Sequence, residues 1–337
     1  MKYDAIREYI KRIEATRDAV EESRRGSPIS QYWQDFVRIT KYVRELSDEQ
    51  LVDIRLHTYH LTSDGYLPYY LGQESGRRAF LEEYEWLMQH LGGDHLGEGA
   101  HGIGFQSQYG LVSLDLLRYL GVLVDLHDGY PASRGVGHAV LEIGGGYGGL
   151  CATYLRHNPL VNYAIVDIEE ILFFSAVHLT NVLGADRVVL CSAESPYPSQ
   201  PIPGRAYLVP QSQRQLLEDR RFDLVINQQS MQEMREDQVR KYCEMIKRIG
   251  RLFYSCNINQ HGEAVVERTK VVTNVNSLIA SYYPRIVWQR RARHGGLPVK
   301  VAGRSRLLSR LYRMTFQEPL RRFSDVFITR TIYSASN

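Results

Sequence analysis

A chain of 337 residues with 44% hydrophobic residues is long enough for two globular domains, or for one elaborated domain with a sizeable core. The formal net charge of only +3, without a recognised RNA- or DNA-binding module, argues against a nucleic-acid partner. No apolar run approaches the roughly 18 residues of a membrane helix, and the charged N-terminus lacks a signal-peptide core, so we expect a cytoplasmic location.

The first part of the chain, residues 1–137, is predicted to be helical. Ile6, Ile10 and Ile13 recur at helical spacing between charged residues, and similar patterns follow further along the region. A stretch rich in glycine and proline ends the region and has the composition of a linker. We therefore predict a helical region at 1–137, followed by a second domain at 138–337.

From Ala139 onward, short apolar segments alternate with helical ones, which predicts an α/β fold with a parallel sheet between two layers of helices. The predicted strands are Ala139–Ile143, Tyr163–Val166, Arg187–Leu190, Ala206–Val209, Phe222–Ile226, Leu252–Cys256, Ile286–Gln289 and Asp325–Ile332. The predicted helices are Ile171–Leu183, Asp237–Ile249 and Val275–Tyr282.

The first of these strands runs into a turn that contains five glycines. Glycine is needed where the backbone adopts positive φ or approaches a ligand closely, and a strand, a glycine turn and a helix N-terminus together are typical of nucleotide sites. Gly144, Gly146 and Gly149 satisfy the dinucleotide fingerprint G-x-G-x-x-G, with Asp167 at a suitable distance for a ribose contact. The same turn also satisfies the acidic E-x-G-x-G-x-G pattern of methyltransferases that use S-adenosylmethionine (SAM).

Charge distinguishes these two interpretations. A dinucleotide places a pyrophosphate at the helix N-terminus, where the carboxylate of Glu142 would repel it. SAM has no phosphate and carries an ammonium and a sulfonium, which a carboxylate attracts. The helix and two strands near the C-terminus also match the antiparallel hairpin that ends a SAM methyltransferase sheet. The sequence therefore favours a Rossmann-like SAM methyltransferase fold, with SAM as cofactor and S-adenosylhomocysteine as product.

Three stretches together resemble the sugar O-methyltransferase family: Glu142–Gly149, Val166–Glu169 and Phe222–Met234. The third contains the family's Asn-x-x-Ser-x-Gln-Glu-Met signature, and the resemblance covers roughly residues 139–260. It implies an enzyme that transfers a methyl group from SAM to a hydroxyl of a sugar or glycosylated small molecule. Methylation of an amine or a non-sugar natural product, an NAD-dependent oxidoreductase and a non-catalytic binding protein stay open as alternatives.

Residues at the ends of several strands form the predicted cofactor site, because ligands of open α/β sheets bind at the carboxyl edge. The turn and its acidic residue are expected to hold the methionine end, and Asp167 to accept hydrogen bonds from the ribose, with a helix N-cap as its alternative role. For adenine, the segment Val209–Gln211 is preferred over Ser192–Glu194 because it directly precedes a helix. The predicted cofactor residues are Glu142, Gly144, Gly146, Tyr147, Gly148, Asp167, Ile168, Pro210, Gln211, Asn227 and Gln228.

Methyl transfer from a sulfonium is an in-line displacement, so positioning and a general base are the expected sources of catalysis. His261 is the preferred base because it follows the strand Leu252–Cys256 at the same edge of the sheet. His101, in the N-terminal region that we expect to cover the acceptor site, is the second choice. Glu233 is predicted to act as a base or to orient a histidine, with a helix cap as its alternative role. Ser230 and Gln232 are predicted to contact acceptor hydroxyls.

An arginine-rich insert, residues 290–322, interrupts the end of the chain, and Glu318 is its one acid. Arginine suits bidentate contact with phosphate, so we expect an anionic acceptor such as a nucleotide-sugar or phosphorylated glycan, with a solvated basic face as the alternative. The four cysteines lack metal-ligand spacing, and we expect no metal and no disulfide framework. A homo-oligomer is compatible with the sequence.

Overall fold

The computed structural model describes residues 2–24, 30–62, 72, 74–99, 101–135, 137–259, 275–293 and 327–335. Its α-helices are α1 (Asp4–Arg24), α2 (Gln31–Thr40), α3 (Asp48–Val52), α4 (Glu74–Leu91), α5 (Leu114–Gly129), α6 (Gly149–His157), α7 (Glu169–Leu183), α8 (Glu236–Ile249) and α9 (Val275–Tyr282). Short 3₁₀ helices span Lys41–Glu45, Ile54–His57, Tyr59–Leu61, Pro131–Arg134, Ala185–Arg187, Gln211–Leu217 and Met231–Glu233.

The described residues also contain ten β-strands. They are β1 (Phe105–Ser107), β2 (Gly110–Val112), β3 (Ala139–Ile143), β4 (Asn162–Asp167), β5 (Val188–Leu190), β6 (Ala206–Pro210), β7 (Phe222–Gln228), β8 (Gly250–Asn259), β9 (Ile286–Arg293) and β10 (Phe327–Ser334). The eight strands predicted from the sequence are all present, with ends that differ by a few residues.

Strands β3 to β10 form one sheet in the order β5-β6-β4-β3-β7-β8-β10-β9, while β1 and β2 pair separately. The first six strands in that order are parallel. Strand β10 runs antiparallel to both β8 and β9. The predicted Rossmann-like α/β fold with an antiparallel C-terminal hairpin is therefore confirmed.

The sheet is covered on both faces, so its central strands are almost continuously apolar. Leu141 and Ile143 of β3 lie in a core cluster with Val239 and Ile246 of α8. Val140, the residue before Leu141, belongs to the cluster on the opposite face, which includes residues of α6 and α7. Alternation along the strand thus decides which of two cores each side chain enters.

The N-terminal helices share the second of these cores. Ile10 of α1 and Phe80 of α4 are buried in the same cluster as Leu172 of α7. The hydroxyl of Tyr9 donates to the carbonyl of Cys191, 2.7 Å away, which joins α1 to the segment after β5. The division of the chain at residues 137 and 138 stays a prediction.

The four cysteines also lie in the interior. Each of them is a buried free thiol, as is typical of small core residues: Cys151, Cys191, Cys243 and Cys256.

The strand order reverses between β3 and β7, because β3 is followed by β4 on one side while β7 is followed by β8 on the other. Such a switch point leaves a crevice at the carboxyl ends of the strands, where ligands bind in open α/β sheets. The glycine turn follows β3, Asp167 ends β4 and Gln228 ends β7. The fold thereby brings three segments that are distant in sequence to one edge.

Candidate active site

The glycine turn connects β3 to α6. Gly144, Gly146 and Gly148 have φ angles of +76°, +57° and +83°, a region that glycine adopts without steric cost. A Cβ on Gly144 would lie 2.1 Å from the Oγ of Ser230, whereas a Cβ on Gly146 would meet no atom within 4 Å. Gly144 therefore permits close packing against the segment after β7, and Gly146 leaves space for a ligand.

Three amides of this turn already have acceptors inside the protein. The N–H of Gly144 donates to the carbonyl of Val166 at 2.8 Å, and that of Gly148 donates to a carbonyl within the turn at 2.9 Å. The N–H of Gly146 donates to Oδ2 of Asp167 at 2.9 Å. In a dinucleotide site, amides at this position bind the pyrophosphate. Their engagement here disfavours a diphosphate ligand.

A cavity of about 200 Å³ opens at the switch point. Gly144 and Gly146 of the turn form part of its wall, as do the end of β4, the segment after β7 and the start of α8. The N-terminal region contributes Ser30, Trp33 and the adjacent pair Leu61 and Thr62 to the same wall. The cavity thus lies between the sheet edge and the N-terminal helices.

Asp167 lies in the cavity wall with Ile168 beside it. Its Oδ1 accepts from the N–H of Ile168 at 2.8 Å, and its Oδ2 accepts from the turn. Withdrawal from water raises the pKa of Asp167 to about 7, although both amide hydrogen bonds lower it. The N-cap of α7 is Ile168, so Asp167 does not cap that helix. Each carboxylate oxygen retains a lone pair for a ligand donor.

The segment after β6 forms the far side of the cavity. Gln211 lines the wall, and its Nε2 donates to Oε1 of Gln238 on α8 at 2.6 Å. Tyr242, one helical turn further along α8, lines the same side. Pro210 pairs in register with Asp167 but is not among the lining residues, and the segment Ser192–Glu194 does not contribute to the wall. Strand β6 is adjacent to β4, which explains why the preferred segment reaches the cavity.

The segment after β7 has an unusual backbone. Gln229 has a φ of +61°, which is uncommon outside glycine, and its N–H donates to the carbonyl of Cys256 at 2.8 Å. Strained residues of this kind concentrate at functional sites. Nε2 of the neighbouring Gln228 is buried in the cavity wall and has no hydrogen-bond partner among the described residues. It is therefore available to donate to a ligand.

Glu233 also lines the cavity, at the end of a 3₁₀ helix. Loss of solvent raises its pKa to about 8; the charge of Asp167 raises it too, and that of Arg118 lowers it. Arg118 of α5 forms an ion pair with the buried Asp115 at 2.8 Å and donates to Oε1 of Gln229 at 3.5 Å. The cavity therefore contains two acids of raised pKa and a fixed cation.

The two predicted histidine bases have different outcomes. His101 lies outside the cavity wall, and its half-exposed side chain is 2.9 Å from Oδ1 of Asp53. His261 lies outside the described residues, so its role as a base stays a prediction. Of the three predicted bases, the structure places Glu233 in the cavity.

Glu142 does not line the cavity, contrary to our expectation. Its side chain is 2% exposed, and Oε2 accepts from the hydroxyl of Tyr163 at 2.9 Å. Alternation along β3 turns Glu142 away from the face of Ile143, toward the helix that follows the turn. Burial raises the pKa of Glu142 to about 8, so the carboxyl is mainly neutral at pH 7. A carboxyl with this raised pKa attracts a cationic ligand less strongly at neutral pH than an ordinary carboxylate does, and the contact of Glu142 with the cofactor stays a prediction.

Tyr147 points away from the cavity as well. The positive φ angles of Gly146 and Gly148 reverse the chain on either side of it, so the side chain enters the core. The ring is 1% exposed and lies 4.0 Å below the guanidinium carbon of Arg55. The side chain of Tyr147 therefore packs in the core, and a contact of Tyr147 with the cofactor stays a prediction.

Asn227 is a third predicted cofactor residue with an internal role. It is fully buried, and its Nδ2 donates to the carbonyl of Ile143 at 2.9 Å and to the Oγ of Ser230 at 2.5 Å. Its Oδ1 accepts from Asn257 at 3.1 Å. Asn227 therefore fixes the segment after β7 against the glycine turn, and Ser230 rather than Asn227 reaches the cavity wall.

The structure adds residues that the sequence did not single out. They are Ser30, Trp33, Leu61, Thr62, Arg118, Arg235, Gln238 and Tyr242. Ser30 carries one local signal, because its Oγ accepts from the N–H of Trp33 and marks the start of α2. For the residues inside α-helices, helical spacing indicates a buried face and gives no indication of whether that face meets a neighbouring helix or a cavity.

The arginine-rich insert is described only at its start, in β9. There, Arg290 contacts the buried Asp125 at 3.0 Å and Asp128 at 2.9 Å. The rest of the insert, residues 294–322, lies outside the described residues, so its contact with an anionic acceptor stays a prediction.

Among the described residues, no group of three His, Cys, Asp or Glu side chains is arranged to hold a metal ion. No helix in this part of the chain has the length and apolar character needed to cross a membrane.

No protein-family model matches this chain, and neither does any curated protein. Solved structures with a similar backbone include an O-methyltransferase family protein from Burkholderia thailandensis, with a TM-score of 0.40 and 10% identity over 66% of this chain and 59% of that chain. Haemonchus contortus phosphoethanolamine N-methyltransferase 2, in complex with phosphomonomethylethanolamine and S-adenosylhomocysteine, has a TM-score of 0.41 and 13% identity over 82% of this chain and 60% of that chain. A SAM-dependent methyltransferase from Thiobacillus denitrificans, in complex with S-adenosylhomocysteine, has a TM-score of 0.38 and 10% identity over 64% and 89%. This chain thus spans about three fifths of the length of the first two proteins.

Proposed function

We propose that this protein is a SAM-dependent methyltransferase. The observation that carries the proposal is the hydrogen bond from the N–H of Gly146 to Asp167 in the wall of the cavity. It removes an amide that a pyrophosphate would need, and it holds a carboxylate where a ribose can donate two hydroxyls to it. A nucleoside without phosphates fits this arrangement better than a dinucleotide does.

The remaining wall residues suit the other parts of SAM. Ile168, Gln211 and Tyr242 form an apolar and amide-bearing side for adenine. Arg118 supplies positive charge, and the unpartnered Nε2 of Gln228 supplies a donor, for the carboxylate of the methionyl end. When bound, SAM would supply a methyl group activated by its sulfonium.

We further propose that the acceptor is a hydroxyl of a sugar or glycosylated small molecule. The resemblance of Phe222–Met234 to the sugar O-methyltransferase family supports this, because the segment forms part of the cavity wall. Glu233 would accept the hydroxyl proton at a carboxylate oxygen. The raised pKa of Glu233 lies close to neutral pH and makes this side chain a stronger base than an ordinary carboxylate.

The N-terminal region would cover the acceptor. Trp33 and Leu61 provide apolar surface that excludes water from the cavity, and Arg235 provides a cation near its opening, with a side chain that is 51% exposed. This cation is compatible with an anionic acceptor such as a nucleotide-sugar. Exclusion of water strengthens every electrostatic contact inside the site.

Isothermal titration with S-adenosylhomocysteine, with NAD in a parallel experiment, tests the cofactor. We expect micromolar affinity for the former, no binding of NAD, and a large loss of affinity in Asp167→Ala. Binding of NAD alone would contradict the proposal. Incubation with methyl-labelled SAM and a panel of nucleotide-sugars, glycosides and amines then tests the acceptor. Methyl transfer to amines alone would contradict the proposal that the acceptor is a hydroxyl.

A further inference from the structure

Arg55 is an arginine whose side chain is almost completely enclosed. It lies in the 3₁₀ helix Ile54–His57 of the N-terminal region and is 2% exposed. Its guanidinium carbon is 4.0 Å from the ring centroid of Tyr147, which lies between Gly146 and Gly148 in the glycine turn. A cation this close to an aromatic face is attracted by it, and more strongly where water is excluded.

The partners of Arg55 fix its position. Nη1 donates to the Oγ1 of Thr58 at 2.8 Å, and Nε and Nη2 each lie 3.4 Å from an oxygen of Glu98. Glu98 is 8% exposed and also accepts from the hydroxyl of Ser113, the N-cap of α5. Burial of a charge is costly unless it is paired, and this pairing holds the guanidinium in one place.

The ring of Tyr147 is confined on its other sides. His178 of α7 meets it edge-on, with ring centroids 4.9 Å apart. Burial lowers the pKa of His178 to about 3, so the imidazole is neutral at pH 7 and does not repel Arg55. A Cβ on Gly149 would lie 2.5 Å from the Tyr147 ring and 2.4 Å from that of Tyr119, so no space is left for the ring to move toward α6.

The segment that carries Arg55 also reaches the cavity. Leu61 and Thr62, six and seven residues further along the chain, line its wall. One short stretch of the N-terminal region therefore contacts both the buried side of the glycine turn and the ligand side of the cavity.

We propose that Arg55 is a positioning residue for the glycine turn. Its contact with Tyr147 holds the backbone of Gly146 and Gly148 in the conformation that leaves the cavity open, and it couples the N-terminal wall to the turn. What the turn binds rests on the proposed function; the restraint on its backbone does not.

Substitutions of Tyr147 test the contact without removing a buried charge. Tyr147→Leu removes the aromatic face, and we expect the Kd for S-adenosylhomocysteine to rise about tenfold. Tyr147→Phe keeps the face and restores affinity to within about twofold of the wild type.

Tyr154→Leu is the matched control, because Tyr154 is 2% exposed on α6 and packs on Tyr163 instead. It lowers Tm and leaves Kd unchanged. Equal Kd in Tyr147→Leu and wild type overturns the proposal.

The cation is tested by the double variant Arg55→Met with Glu98→Gln, which avoids leaving either charge buried alone. We expect the same rise in Kd as in Tyr147→Leu. Combining all three substitutions should raise Kd no further, because the double variant and Tyr147→Leu remove the same contact between Arg55 and Tyr147. Independent rises that multiply in the combined variant contradict a shared role.

Hydrogen exchange separates this inference from the proposed function. In the ligand-free protein, amides of peptides that cover residues 143–150 should exchange faster in Tyr147→Leu than in Tyr147→Phe or Tyr154→Leu. If wild-type protein fails to bind S-adenosylhomocysteine while exchange follows this order, the proposed function fails and the role of Arg55 stands. Unchanged exchange in Tyr147→Leu overturns the role of Arg55.

Discussion

Glu142 is a buried acid whose protonation links folding to pH. Its pKa of about 8 in the folded protein lies above its ordinary value of 4.5. Between these values the folded state holds a proton that the unfolded state has lost, so the free energy of unfolding falls as pH rises from about 4.5 to about 8. Above that range the carboxyl is ionised in both states and the dependence ends.

Glu142→Gln should remove this dependence. Glutamine is neutral at every pH and still accepts the hydrogen bond from Tyr163, so we expect the variant to be more stable than wild type at pH 8, by on the order of 4 kcal/mol. The two proteins should have similar stability at pH 5. Urea unfolding followed by circular dichroism at both pH values gives the comparison. A variant that is less stable than wild type at pH 8 would show that Glu142 is needed in its ionised form.

Glu233 is predicted to control turnover rather than cofactor affinity. Glu233→Gln should lower kcat by about 10² to 10⁴ while the Kd for S-adenosylhomocysteine stays the same. In wild type, kcat should rise with pH and level off above about 8, where the carboxyl is ionised, and the variant should lose that rise. Initial rates between pH 6 and 9 measure both effects.

His261→Ala is the companion variant, because His261 is the other predicted base. If Glu233 removes the proton, His261→Ala keeps the wild-type pH profile. If Glu233→Gln instead retains wild-type turnover and His261→Ala loses it, the base assignment moves to His261. The affinity for S-adenosylhomocysteine should be unaffected in either variant.

Single residues at the site differ in how far the sequence determines their position. Asp167 ends a strand, and strand ends meet at one edge of a parallel sheet, so its place in the cavity wall followed from the pattern. Glu142 lies one residue before the end of β3, where alternation sends successive side chains to opposite faces. The sequence does not state which of those faces carries the ligand.

At the scale of elements, the glycine turn has two roles, lining the cavity and packing in the core, which its sequence pattern does not distinguish. Gly144 and Gly146 line the cavity, whereas the side chain of Tyr147 is buried on the opposite side. The need for glycine was predictable from the positive φ that such turns require. The burial of the Tyr147 ring was not, because the ring packs against Arg55, which is 92 positions earlier in the chain.

Gly144→Ala and Gly146→Ala should have different consequences. A methyl group at Gly144 would overlap Ser230, so we expect a loss of stability of about 3 kcal/mol. At Gly146 there is space, so only the backbone cost of about 1 to 2 kcal/mol applies, and the methyl group enters the cavity and weakens S-adenosylhomocysteine binding. Thermal unfolding and titration calorimetry measure the two effects.

Gly92→Ala is the control for the stability that is lost when alanine replaces glycine at a positive φ. Gly92 has a φ of +66° with no atom within 4 Å of its Cβ position, and it ends α4 away from the cavity wall. It should lose as much stability as Gly146→Ala and bind S-adenosylhomocysteine as wild type does. Equal affinity in Gly146→Ala and Gly92→Ala would show that Gly146 does not face the ligand.

At the scale of the whole molecule, the N-terminal helices are part of the sheet's core. Helix α5 is buried along most of its length, and Asp125 within it is fully buried. Oδ2 of Asp125 accepts from the hydroxyl of Tyr254 on β8 at 3.0 Å and from Arg330 on β10 at 3.1 Å. The sequence predicts α5 from its apolar spacing, but its ion pair with β10 joins residues 205 positions apart, which no local pattern records.

This arrangement predicts the behaviour of a fragment that comprises residues 138–337 alone. Without the first region, Arg330 would lose the buried carboxylate of Asp125, and the apolar face of α7 that α1 covers would meet water. Leaving one member of a buried ion pair unpaired typically costs about 3 to 5 kcal/mol, a large part of the stability of a domain. We therefore expect the fragment to lack a cooperative thermal transition and to bind the dye ANS, whereas the full chain unfolds cooperatively. A fragment that unfolds cooperatively and binds S-adenosylhomocysteine with the affinity of the full chain would show that the sheet and its helices form an independent domain.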